Sequence, residues 1–183
     1  MRLMLVAILI ALLAGPVPAH ASEQDAAARL DSLFAALHEQ QDPLRSRLIE
    51  AQIWAVWATN STTDAVADLS AASADMGNGA LDRAEEKLNA LIARHPDFAE
   101  AWNRRATLYF QQGRFAESLL DIAHVLDLEP RHFGALSGKS MCLGALGNTN
   151  TALKAMKEAY AINPNLSGLK DHIEALEKLN PDL

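Results

Sequence analysis

The sequence predicts an all-α array of antiparallel helix pairs, and three observations carry that expectation. Strong helix formers (Ala, Leu, Glu, Lys, Arg and Gln) dominate the 183 residues, while Val and Ile are sparse. No alternating apolar–polar run is long enough to build a sheet core. Residue columns recur every 34 positions: Pro96, Pro130 and Pro164; Gly79, Gly113 and Gly147; Ala84, Ser118 and Ala152; Ala72, Ala106 and Ser140; Ala67, Ala101 and Ala135. These five columns in one register define units 65–98, 99–132 and 133–166.

The chain opens on a leader-like stretch. Arg2 precedes an apolar run of 11, Leu3 to Leu13, followed by the breakers Gly15-Pro16 and Pro18 and then Ala19-His20-Ala21. That is the layout of a secretory signal with cleavage near Ala21-Ser22, and the run is shorter than the roughly 20 residues of a membrane span. No Cys follows Leu13-Ala14-Gly15, which disfavours a lipid anchor. Residues 1–21 are therefore expected to be a signal peptide and the mature protein periplasmic. Loss of Arg2 takes the formal charge from −7 to −8. This acidity argues against nucleic acid and anionic membrane as partners. A lone cysteine, Cys142, permits no internal disulfide, so stability must come from packing.

Residues 22–62 read as a helix pair. Leu30, Leu33, Phe34 and Leu37 mark one apolar stripe, Asp42-Pro43 starts a second helix, and residues 48–57 are apolar on most sides, with Trp54 and Trp57 among them. Such a helix is sandwiched between neighbours. The pair is expected to cap the first unit. Within each unit a first helix ends before the column glycine, which supplies the turn, and a second runs to the column proline, which stops it. The small residues at the eighth and twentieth positions fall where the two helices cross. Leu169, Ile173, Leu176 and Leu179 then give a final amphipathic helix, 167–180, with Ser167 placed at its N-terminus as a cap.

Residues 100–130, "EAWNRRATLYFQQGRFAESLLDIAHVLDLEP", resemble a tetratricopeptide repeat (TPR), with the family's positions at Trp102, Ala106, Tyr109, Gly113, Ser118 and Pro130. The resemblance covers 65–166 and weakens in the flanking units. Asp68 and Asp75 stand where the family prefers Trp and Tyr, and Arg105 and Lys139 where it prefers Leu. It implies a right-handed superhelical solenoid whose first helices line a concave groove, closed by the helix 167–180. Carried over by position, the groove residues expected to meet a partner are Asn103, Arg104, Thr107, Phe110, Gln111, Gly134, Ser137, Gly138 and Met141. The Lys and Asn with which chaperone-binding members clamp a peptide carboxylate are Leu69 and Ser73 here, so that clamp is absent.

Candidate chemistry is sparse. Gly138-Lys139-Ser140 ends like a phosphate loop, but Phe133 stands where its first glycine belongs and no strand precedes it. "HEQQD", 38–42, lacks the second His of a zinc-protease helix. Asp121, His124 and Asp127 share a helix face, where a solvated surface outweighs a cation site. Cys142, between Met141 and Leu143, reads as a small buried hydrophobe. No catalytic set, metal or cofactor is expected. The resemblance implies a non-enzymatic adaptor that holds a protein or peptide in its groove, in the setting of envelope assembly. A self-associating structural subunit is the alternative. Gly134 and Gly138, on one face of one helix, either admit a partner's backbone, with Asn103 and Arg104 fixing its polar groups, or fit neighbouring helices.

Overall fold

A computed structural model gives the fold of residues 19–166 and 168–179, with side chains from residue 24 onward. Among the described residues there are nine α-helices and no strand: α1 (Ala19–Glu39), α2 (Pro43–Thr59), α3 (Thr63–Gly77), α4 (Leu81–Arg94), α5 (Ala99–Gln111), α6 (Phe115–Leu128), α7 (Phe133–Ala145), α8 (Thr149–Ile162) and α9 (Leu169–Leu179). Most of the leader (1–18) and the Ser167 cap lie outside the described residues, and α1 runs through the expected cleavage site.

The 34-residue register sets the local structure. Gly79, Gly113 and Gly147 adopt φ of 74°, 73° and 78°, a left-handed conformation that any side chain would strain. Each closes its first helix in the same way, as in Gly113 N–H to Phe110 O at 3.0 Å and Arg114 N–H to Tyr109 O at 2.8 Å. The small columns are buried in all three units: Ala72 and Ala84, Ala106 and Ser118, and Ser140 and Ala152. Ser118 Oγ donates to the Ala106 carbonyl at 2.8 Å, so this polar residue is satisfied inside the crossing. At the far end Ile173 of α9 is buried with Leu169 and Leu176 against Leu153, Met156 and Tyr160 of α8.

The N-terminal pair departs from expectation. Asp42 caps α2 by accepting from the N–H groups of Leu44 and Arg45 at 2.9 and 3.0 Å, with Pro43 in the first turn. Its apolar side then buries Leu30, Leu37, Ile53, Val56 and Trp57 with Phe133 of α7, against Ile162 and Leu166 at the end of the third unit. Arg131 pairs with Asp31, and Asn165 donates to the Leu37 carbonyl. The pair thus lies across the inner helices and anchors on the third unit, where a cap on the first was expected. Two facts mark the vacated flank. Ala67 is exposed while its column mates Ala101 and Ala135 are buried. Asp25, Arg29, Asn60, His95 and Asp97 line an open hollow of about 620 Å³ between the pair and the α4–α5 turn. Unit three offers Phe133 and the bare backbone of Gly134 to the α2 tryptophans, where the same register positions of unit one are Ala65 and Val66.

A candidate partner-binding cleft

A cleft of about 190 Å³ opens between α5, α6 and α7. Seven of the residues expected to meet a partner line it: Asn103, Thr107, Phe110, Gly134, Ser137, Gly138 and Met141. Ala106, Ser118, Ile122 and Ala135 complete its wall. Helical spacing makes this convergence, since 103, 107 and 110 share one face of α5 and 134, 137, 138 and 141 one face of α7. Phe110 is held at one side by Phe115, with ring centroids 5.4 Å apart, and Met141 stands 56% exposed at the mouth. Thr107 Oγ1 and Ser137 Oγ donate to the carbonyls of Asn103 and Phe133, at 3.0 and 2.8 Å. Their lone pairs therefore remain free to accept.

Arg104 and Gln111 do not line the cleft, and the polar reader expected from Asn103 and Arg104 is already engaged. Glu100, buried at 1% exposure, accepts from Asn103 Nδ2 and Arg104 Nη2, both at 2.9 Å. His132 Nε2 lies 3.2 Å from the same carboxylate, and His132 Nδ1 accepts the Ala135 N–H at 3.0 Å. With Nδ1 acting as acceptor, Nε2 carries the proton and donates to Glu100. Trp57 stacks on this imidazole, 4.0 Å between centroids and 11° between planes, while Trp54 meets it edge-on at 5.3 Å. A buried carboxylate with three donors is a rigid internal joint that ties α5 to α7 beneath α2.

The two α7 glycines separate here. A Cβ on Gly134 would run into Trp54 Cη2, so this glycine serves packing inside the chain. A Cβ on Gly138 would meet only Ile122 Cδ1, at 3.4 Å, and faces the cleft.

A tetratricopeptide-repeat family model matches residues 69–125. A TPR repeat-containing protein of Rhizobium etli is 40% identical over 158 residues, covering 82% of this chain and 74% of that protein. This chain belongs to the TPR family. Solved TPR structures share the fold at low identity. The first TPR of Spaghetti, bound to an HSP90 peptide, superposes with a TM-score of 0.62 at 17% identity, over 67% of this chain and 97% of that one. The TPR2B domain of yeast Sti1 in its pHsp70 complex gives 0.57 at 18%, over 64% and 95%, and a MamA double mutant gives 0.58 at 14%, over 86% of each chain.

Three of the departures from the TPR pattern, Asp68, Asp75 and Arg105, meet partners of opposite charge. Asp75, in an aromatic position, sits among Arg83 (3.0 Å) and Lys87 (2.6 Å) of α4, and Asp68 pairs with Arg94. The Lys87 hydrogen bond holds the Asp75 carboxyl below its ordinary value, against the opposing effect of burial and with help from Arg83. Arg105, in a leucine position, grips Asp121 through two bonds of 2.8 Å and reaches Asn89 at 2.7 Å, lying over the rings of Trp102 and Tyr109. That bond to Asp121 raises the guanidinium further above its usual range. The expected solvated face of Asp121, His124 and Asp127 is therefore corrected. Asp121 is buried and bidentate, and His124 packs on Trp102, with ring centroids 4.3 Å apart. Among the described residues no cluster of three His, Cys, Asp or Glu side chains could hold a metal ion, and no helix is long and apolar enough to cross a membrane. Gly138-Lys139-Ser140 lies inside α7, which begins no phosphate loop. Burial pushes the Cys142 thiol up, partly offset by its contact with Ser118 Oγ at 3.3 Å.

Sequence reasoning passed over His132 and the anchoring role of Trp54 and Trp57. A signal was present: α2 is apolar nearly all round, beyond what one packed face can absorb. The site of its second contact was not in the pattern.

Proposed function

We propose that this TPR protein is an exported, non-enzymatic adaptor that holds a protein or peptide partner by an apolar side chain seated in the α5–α7 cleft. The observation that carries this reading is the meeting of Phe110, Gly138 and Met141 at one open cleft of about 190 Å³. That volume lies below the roughly 300 Å³ at which small-molecule sites begin, and it suits one side chain. Seating such a side chain is worth about 1.5–3 kcal/mol. Thr107 and Ser137 then present acceptor oxygens to the partner's backbone N–H groups. Because α2 already covers the inner helices near Gly134, the partner engages through a short segment and does not lie along the whole concavity. Two solved proteins of this fold are held in complexes, one with an HSP90 peptide and one with pHsp70, which supports capture of a protein or peptide. Export to the periplasm rests on the leader-like residues 1–21, and a role in envelope assembly is the setting that leader suggests.

The test is a photo-crosslinking residue at Met141, used in the native envelope with identification of the captured protein. Gly138→Leu fills the cleft and is expected to abolish that capture while helicity is retained. Equal capture by a folded Gly138→Leu variant removes the reading.

A further inference from the structure

The outward side of α2 carries a second feature, remote from the cleft. Leu44 and Leu48 are 67% and 58% exposed, and Ala51 and Ala55 are exposed beside them. At 100° per residue these four fall within a sector of about 60°, a continuous apolar stripe on the face opposite the buried Ile53, Val56 and Trp57. Arg45 and Arg47 flank it, both exposed. Among the described residues neither has an ion-pair partner, whereas Arg83, Arg94, Arg104, Arg105, Arg114 and Arg131 of the repeats each hold one. Both also sit near the positive end of the α2 dipole, where a cation is disfavoured, and the last turn of α2 has no basic residue.

We propose that a second copy of this chain covers the stripe, with the two α2 helices antiparallel about a two-fold axis between residues 49 and 50. In that register Leu44 faces Ala55 of the other copy and Leu48 faces Ala51, so large residues oppose small ones along the seam. Helical side chains lean toward their own N-terminus. Arg45 of each copy thereby reaches the uncompensated C-terminal carbonyls of the other α2, placing its charge where one copy alone cannot. The two ends are complementary in size and in charge at once, and a helix of unrelated sequence would have no reason to meet both conditions. One helix pair buries less than the roughly 1,600 Å² of a standard interface, so the dimer forms only as concentration rises.

Sedimentation equilibrium of the full chain, from about 1 to about 500 µM, is expected to show mass rising toward two copies. Leu48→Glu, an exposed substitution that leaves helicity intact, shifts that rise to concentrations higher by roughly tenfold or more. Arg45→Glu with Arg47→Glu gives a smaller shift that fades with salt. Disulfide crosslinking fixes the direction: a mixture of Leu48→Cys and Ala51→Cys chains crosslinks faster than either alone, with the buried Cys142 silent. A single-copy mass at every concentration overturns the proposal, including the case in which residues 1–18 or an unrelated protein covers the stripe. So does a dimer that Leu48→Glu leaves intact. Neither result touches the cleft, whose residues lie on α5, α6 and α7.

Discussion

The first and third units share a register and a turn, yet their inner helices meet the N-terminal pair in opposite ways. On α3, Asp68 and Asp75 are bound to cations of α4, and Ala67 is left exposed. On α7, Phe133 and Gly134 are covered by Trp54 and Trp57. The capping pair has therefore gone to the unit whose surface is apolar and missing a side chain, although the other unit is next to it in the chain. Sequence adjacency proposes a neighbour, and desolvation decides it. The consequence for function is a concave face closed at 132–134 and open at 137–141.

The largest effect that can break this contrast is Trp57→Ala. It removes a ring at 4% exposure, its stack on His132 and its indole contact with Glu129, and should cost about 3–5 kcal/mol in urea unfolding. A loss within experimental error would mean that the pair is not anchored on unit three.

Next come the two glycines of α7, whose substitutions are expected to differ in sign. Gly134→Ala gains about 1 kcal/mol of helix propensity, but the rigid indole of Trp54 must move, an overpacking penalty of about 1–3 kcal/mol, so a net loss follows. In a Trp54→Ala background the clash with the indole disappears and only His132 Cε1, at 3.3 Å, remains, so the same substitution becomes less costly. That coupling is read directly from a double-mutant cycle. Gly138→Ala meets only ordinary contact with Ile122 and is expected to stabilise by about 1 kcal/mol, while narrowing the cleft and weakening capture at Met141. If both glycines respond alike, the division of α7 into a covered and an open half fails.

The sequence made the repeats legible because turns and crossings are local demands. A φ near +75° asks for glycine, a close crossing asks for Ala or Ser, and both recur at 34 residues wherever the pair geometry recurs. The cleft residues were reached through the TPR resemblance, which carries 103, 107 and 110 over with 134, 138 and 141; helix spacing places each set on one face of its own helix. What stayed hidden were choices between partners of similar type. Arg104 was expected as a cation of the groove, and Glu100, four residues before it, takes that charge up. Only the arrival of His132 from the next unit makes that carboxylate an internal joint. The destination of α2 was hidden too, because periodicity says how much of a helix is buried and not against what.

The smallest effect lies on the first unit and tests how α3 is held to α4. Asp75 occupies an aromatic position of the repeat, and Lys87 and Arg83 compensate it from α4. Its folded carboxyl is held below the ordinary carboxylate value, foremost by the Lys87 hydrogen bond and against burial. The charged form is therefore favoured in the folded state. The stability this contributes is present above the unfolded carboxylate range, near pH 4, and is lost as pH falls through the lower folded value. Asp75→Asn is expected to lower the urea midpoint at pH 7, by less than Gly134→Ala does, and the two proteins should converge once pH has fallen below the lowered folded value. A difference that persists unchanged into acid would show that Asp75 matters by shape alone.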